Sequence, residues 1–172
     1  MIEILQGDIT TLEVDAIVNA ANPALLGGGG VDGAIHRAAG PDLLRACRAL
    51  NGCRTGEAKI TPGFKLPASW VIHTVGPIWQ GGDYNEAGLL ENAYRHTFEL
   101  ARMHTIQSMA FPAISTGVYG YPKAAACRIA LSAMKQQAAA FDRIIACCYS
   151  QEDYRLYRQI LAEPGKRQAP SV

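Results

Sequence analysis

Four consecutive glycines, Gly27-Gly28-Gly29-Gly30, separate an apolar run at Ala16-Ile17-Val18 from a stretch with helical periodicity. Glycine weakens the interior of a strand or helix, but it accepts positive φ and lets another group approach the main chain closely. Four of them between a strand and a helix predict a turn built around its exposed N–H groups. The helix beyond points its own unpaired N–H groups and the positive end of its dipole at the same place. That combination suits a phosphate or a diphosphate.

The helix also carries an acid and an imidazole. Asp32 and His36 are four residues apart, which places them on one helical face. Spacing alone leaves two readings open. The pair forms a reaction centre beside the anion site, or Asp32 only complements the helix dipole and His36 is an ordinary hydrogen-bonded histidine. On the strand side, residues 15–22 form an apolar run without alternation, which predicts burial on both faces. Asn19 and Asn22 then need partners, because a buried amide is costly when unpaired.

Periodicity along the chain predicts strands over 2–6, 15–22, 57–61, 70–75, 108–112 and 144–149. Helices are expected with Val31, Ile35, Ala38 and Ala39 on a buried face, then over 42–50, 86–104, 122–140 and 152–161, with Pro122 at the first helical position. Strands alternating with helices indicate an α/β fold with a largely parallel sheet, and such sheets bind ligands at the carboxyl ends of their strands. The chain of 172 residues reads as one domain over 1–163, followed by a tail over 164–172 expected to be disordered. Its 49% hydrophobic and 18% charged residues argue against disorder elsewhere.

A second unusual turn, Ala113-Ile114-Ser115-Thr116-Gly117-Val118-Tyr119-Gly120-Tyr121-Pro122, also lies between a strand and a helix. Its Ala-Ile-Ser-Thr-Gly start resembles a nucleophile elbow, but a hydrolase of that type needs a histidine after the serine. His36, His73, His96 and His104 all precede Ser115. The turn reads better as a second phosphate cradle, with Ser115, Thr116 and backbone N–H groups as donors. Gly28 to Gly33 match G-x-G-x-x-G, yet several residues intervene after the strand, and no Gly-Lys-Ser/Thr occurs for a P-loop. Asp8, after the first strand, either caps a turn or accepts a hydrogen bond from a ligand amine. His73, within a strong strand, reads as a packed histidine.

A formal charge of +1 lacks the basic excess that nucleic-acid binding calls for, so no nucleic-acid partner is expected. Cys47, Cys53, Cys127, Cys147 and Cys148 are odd in number and match no zinc spacing, and Cys147 and Cys148 would face opposite sides of a strand. They read as reduced thiols in a cytoplasmic protein. No signal peptide and no apolar run of spanning length is evident, so no membrane association is expected.

Taken together, Gly7-Asp8-Ile9, Val18-Asn19-Ala20-Ala21-Asn22, the block from Gly27 to His36, and Ser115-Thr116-Gly117-Val118-Tyr119-Gly120-Tyr121-Pro122 resemble a macrodomain. More narrowly they resemble the MacroD type, which includes bacterial O-acetyl-ADP-ribose deacetylases. The resemblance implies a three-layer α/β/α sandwich with a mixed, largely parallel six-stranded sheet and ADP-ribose in a cleft above it. Asp8 would take the adenine amine with Ile9 beside it, and Tyr149 would be a further adenine contact. Asn22 would hold the distal ribose. Gly30, Val31 and Asp32 would line the diphosphate and distal ribose, and Ser115, Thr116, Gly117, Val118 and Tyr119 would wrap the diphosphate. The implied activity is metal-independent and uses no cofactor: deacetylation of O-acetyl-ADP-ribose and removal of mono-ADP-ribose from acidic side chains. Asp32, Asn22 and His36 are its candidate catalytic residues. Whether Asp32 is the base or the substrate's phosphate assists stays open. The expected partners are ADP-ribose, O-acetyl-ADP-ribose and mono-ADP-ribosylated proteins, acted on by a monomer. The alternatives are a non-catalytic ADP-ribose reader, or a regulator acting by protein contact, as in ribonuclease III regulation.

Overall fold

A computed structural model describes residues 1–164. Its strands are β1 (Ile2–Gln6), β2 (Ala16–Ala20), β3 (Ala58–Pro62), β4 (Trp70–Thr74), β5 (Ser108–Phe111) and β6 (Arg143–Cys148). Its α-helices are α1 (Gly30–Ala39), α2 (Pro41–Ala49), α3 (Glu86–Met103), α4 (Lys123–Gln137) and α5 (Gln151–Ala162), with short 3-10 turns at Ile9–Thr11 and Ala138–Ala140. The strands form one sheet in the order β1-β6-β5-β2-β4-β3. All neighbours are parallel except β3, which pairs antiparallel with β4 at the edge. An edge is where Pro62, lacking an N–H, is tolerated in a strand.

Two cores cover the sheet. On one face α1 and α2 set Ile35, Ala39, Leu43 and Cys47 against Ile17, Val71, Ala110, Ile145 and Cys147. On the other, α3, α4 and α5 set Leu90, Tyr94, Phe98, Leu131, Met134 and Tyr157 against Val18, Ile72, Met109, Phe111, Ile144 and Cys148. Adjacent strand residues feed opposite cores, as a period of two requires. Cys147 and Cys148 accordingly part to opposite faces, and the five cysteines are free thiols. The α/β/α sandwich with a mixed, largely parallel sheet is as the sequence implied.

Several boundaries differ from the periodicity. The run over 15–22 is strand only over Ala16–Ala20, because Asn22 turns its amide into the following loop and caps the chain reversal there. Pro122 stands one residue before α4 with ψ 127°, so it precedes the helix rather than opening it. The helix over 122–140 ends at Gln137 and tightens into a 3-10 turn. Between α1 and α2, Gly40 takes φ +86° and donates its N–H to the His36 carbonyl, and Pro41 starts the next helix. The disordered tail expected from residue 164 lies, from residue 165 onward, outside the described residues. Among the described residues no helix is long and apolar enough to cross a membrane.

Candidate active site

Strands β5 and β2 are neighbours, but the helices that follow them pack on opposite faces of the sheet. Their loops therefore part above the carboxyl ends of the strands and leave a crevice between them. A crevice at such a switch point is where open α/β sheets take ligands. The first loop runs from β2 to α1 and the second from β5 to α4, so both glycine-containing turns flank this crevice.

The first loop is held by side chains. Asn22 Nδ2 donates to the Gly27 carbonyl at 3.0 Å, and its Oδ1 accepts from the Leu25 N–H at 3.2 Å. Leu25 is buried with φ +59°, a conformation this bracing must enforce. Gly27 and Gly30 take φ +89° and +58°, so positive φ is in use at two of the four glycines. Asp32 lies in the first turn of α1 and is 5% exposed. Its Oδ1 accepts from Asn19 Nδ2 at 2.8 Å and lies 3.4 Å from His36 Nε2. Its Oδ2 points toward Gly28: a Cβ built there would stand 3.2 Å from Oδ2 and 3.3 Å from Asn22 Nδ2. The glycine thus leaves open the space between the two side chains proposed from the sequence. Asp32, Asn22 and His36 are brought together as expected, and His36 also lines an open groove with Leu26, Gly27, Gly28 and Arg37.

The second loop is held by backbone. Gly120 N–H donates to Gly117 O at 2.9 Å, and Tyr121 N–H to Ser115 O at 2.9 Å. Trp79 N–H donates to Tyr119 O at 2.8 Å, and the Trp79 ring packs on Tyr121 with centroids 4.7 Å apart. The loop bearing Trp79 is in turn tied down by Glu86, a buried carboxylate that accepts the N–H groups of Gln80, Gly82 and Tyr84. Burial raises its pKa, and these backbone bonds together lower it further than burial raises it. Thr116 is half-buried, Gly117 and Val118 are exposed, and Tyr119 is half-buried. Burial, and then the Asp32 charge, push the Tyr119 phenol above its ordinary range.

One expected donor is corrected. Ser115 adopts φ +68° and turns its hydroxyl inward against Gly76, where it is buried without a partner among the described residues. It is a buried spacer under the loop, so the hydroxyl donors expected there reduce to Thr116. After β1, Asp8 Oδ1 accepts both the N–H and the hydroxyl of Thr10, at 2.9 and 2.7 Å, so the capping role is present. Ile9 is buried in the α1/α2-side core, and Tyr149 is exposed after β6.

The support of Asp32 extends beyond the residues singled out in the sequence. Behind it, Asn19 Nδ2 also lies 3.1 Å from His73 Nδ1, and His73 Nε2 lies 2.9 Å from Thr61 Oγ1 and 3.7 Å from Cys47 Sγ. His73 is packed and hydrogen-bonded, as its strand position implied, yet it is connected to the site. The signal available was an asparagine inside an otherwise apolar strand. Burial, and then the nearby Asp32, raise the Cys47 thiol to about 11, which keeps it protonated.

The sequence profile described as Macro domain matches residues 18–130, and the chain belongs to that family. A Macro domain-containing protein of Ralstonia nicotianae is 62% identical, over 92% of this chain and 93% of its own. A Citrobacter rodentium protein named O-acetyl-ADP-ribose deacetylase is 56% identical, over 95% of this chain and 97% of its own. A Trypanosoma brucei macrodomain solved in complex with ADP-ribose has a TM-score of 0.86 at 44% identity, covering 93% of this chain and 68% of that one.

Proposed function

We propose that this chain binds ADP-ribose in the crevice between the two loops and hydrolyses acyl esters on its distal ribose. The substrates are O-acetyl-ADP-ribose and proteins carrying mono-ADP-ribose on acidic side chains. Both are carboxylic esters of a ribose hydroxyl, so one reaction serves both: water adds its oxygen to the acyl carbon, and the ribose oxygen leaves with a proton.

The observation that carries this reading is the Asp32 carboxylate, buried at the head of α1 and held at Oδ1, with Oδ2 facing the open space beside Gly28 and Asn22. A general base must stand within hydrogen-bond reach of the water it deprotonates. We assign that role to Asp32, with His36 orienting it and Asn22 placing the distal ribose. The glycine turn and the N-terminus of α1 offer N–H donors to the diphosphate. Gly117, Val118 and the backbone of the second loop face it, with Thr116 and Tyr119 beside them. The deacetylase name of a relative at 56% identity supports the chemistry, and the ADP-ribose complex of a structural relative supports the ligand.

Incubation with O-acetyl-ADP-ribose, following release of ADP-ribose, together with calorimetric binding of ADP-ribose, tests the proposal. Release with binding is the expected result. Binding without release identifies a reader, and the absence of binding at millimolar ligand rejects the assignment altogether.

A further inference from the structure

Asn19 and His73 are buried at matching positions on the paired strands β2 and β4, where the register sets them side by side. Asp32 carries a carboxylate, which only accepts hydrogen bonds. The group 2.8 Å from its Oδ1 is therefore the Asn19 amide nitrogen, and the orientation of that amide follows. Its second hydrogen points at His73 Nδ1, so Nδ1 must accept, and the proton of the neutral ring sits on Nε2. Nε2–H then donates to Thr61 Oγ1, with the Cys47 sulfur farther off. Each assignment fixes the next, from the carboxylate to the edge strand.

The opposite amide orientation would set Asn19 Oδ1 against the carboxylate oxygen. The observed one leaves Oδ1 buried without a partner among the described residues. A free-standing asparagine would gain by turning its oxygen toward a donor, since an unmade buried bond is costly. The carboxylate and a ring that accepts at Nδ1 remove that option together, because both face the amide nitrogen, whereas the Thr61 hydroxyl suits either state of Nε2.

We propose that His73 is a positioning residue for hydrolysis: it fixes the Asn19 amide, which holds Asp32 by Oδ1 and leaves Oδ2 toward the crevice. The proposal rests on the reading of Asp32 as the base. A protonated ring would put Nδ1–H against the Asn19 N–H and break the chain. Burial, and then the nearby His36, depress the His73 pKa to about 3, so the ring stays neutral. The groups facing it are Asn19 from β2, Thr61 from β3 and Cys47 from α2, with His36 and Asp32 of α1 beyond.

Nitrogen NMR of histidine-labelled wild-type protein reads the arrangement without any variant. The expected spectrum shows His73 with a bare Nδ1 and a protonated Nε2, unchanged on acidification to about pH 4. A proton on Nδ1, or titration near the ordinary value, overturns the proposal. Kinetics then test the consequence. His73→Phe removes both contacts, whereas His73→Asn places an amide oxygen where Nδ1 stands. For His73→Phe, kcat on O-acetyl-ADP-ribose should fall roughly 10- to 100-fold, while KM and the Kd for ADP-ribose stay within about threefold, as expected for lost orientation. His73→Asn should recover most of that rate. Unchanged kcat in folded His73→Phe, or an equal loss in both variants, overturns the proposal. Asp32→Asn, assayed in parallel, separates the two levels. If it keeps full rate, the reading of Asp32 fails. If it is inactive while His73→Phe is not, only the role of His73 fails.

Discussion

Strands β5 and β6 bury apolar side chains, from Met109 to Phe111 and from Ile144 to Cys148. Across the crevice, β2, β4 and β3 bury Asn19, His73, Thr74 and Thr61 among their apolar residues. The two loops above repeat the contrast. The loop after β5 keeps its shape through backbone hydrogen bonds and an inward serine. The loop after β2 keeps its shape through Asn22, and the acid beyond it is anchored by Asn19. Directional polar contacts gather beneath the loop that carries the acid. An anion cradle needs its backbone in the right curve, which backbone bonds and glycine supply. A carboxylate that must present one particular oxygen needs directional partners, and those have to come from beneath.

If that division is right, the largest effect belongs to the acid on the polar side. Asp32→Ala should lower single-turnover hydrolysis by about 10²–10⁴-fold. Its calorimetric affinity for ADP-ribose should change little, because the diphosphate is held by main-chain donors. Equal loss of both would make Asp32 a ligand anchor and erase the contrast.

Next in size is the acid sensitivity of the polar half. The His73 pKa is lowered from 6.5 to about 3 by burial. On acidification the unfolded chain therefore takes up this proton first. Stability from a neutral His73 is fully present above pH 6.5 and is lost as pH falls from there toward 3. The slope attributable to it is at most about 1.4 kcal/mol per pH unit. Denaturant midpoints between pH 6.5 and 5, above the usual carboxylate range, should show it in the wild type. The slope should be absent in His73→Asn.

The layer order and the crevice were legible because they follow from alternation, helix periodicity and the position of glycines. Asp32 and His36 were legible as a pair because four residues is nearly one helical turn. The link from Asp32 through Asn19 to His73 and Thr61 was not, because it runs across three strands. Pairing order and register are tertiary facts, and β3 turns antiparallel to make the last contact. The inward turn of Ser115 was hidden for a similar reason. Serine in a loop between strand and helix ordinarily exposes its hydroxyl, and only the closeness of Gly76 shows why this one does not.

On the backbone-held side, Gly76 packs against the inward Ser115. A Cβ there would stand 2.1 Å from Ser115 Oγ and 2.7 Å from Ile114 Cγ2. Gly76→Ala should destabilise by about 1–3 kcal/mol, the usual cost of overpacking. It should also weaken ADP-ribose binding, because relief requires the second loop to move. Thermal melting and calorimetry on one preparation check both. On the polar side, Gly28→Ala meets no backbone obstacle, since its φ lies outside the left-handed region. Its methyl would stand 3.2 Å from Asp32 Oδ2 and 3.3 Å from Asn22 Nδ2. It should slow hydrolysis roughly 10- to 100-fold by displacing reacting groups. Melting should be nearly unchanged, so stability and rate should part company between the two glycines.

The smallest effect has the opposite sign. Ser115 holds φ +68° with a side chain that disfavours it, and buries a hydroxyl with no partner among the described residues. The left-handed conformation costs a non-glycine residue roughly 1–2 kcal/mol, and an unpaired buried hydroxyl adds to that cost. Ser115→Gly removes both and gives up the packing of the serine Cβ and hydroxyl oxygen against Gly76. The variant should therefore be more stable by about 1 kcal/mol, part of the relief being returned as extra freedom of the unfolded chain. Strain of this kind persists where surrounding structure enforces it, and it gathers at ligand clamps. If Ser115 holds the cradle in its binding shape, the gain in melting temperature should come with weaker ADP-ribose affinity. A stabilised variant with undiminished affinity would show that the backbone bonds of Gly120 and Tyr121 suffice, and that the serine adds nothing to the cradle.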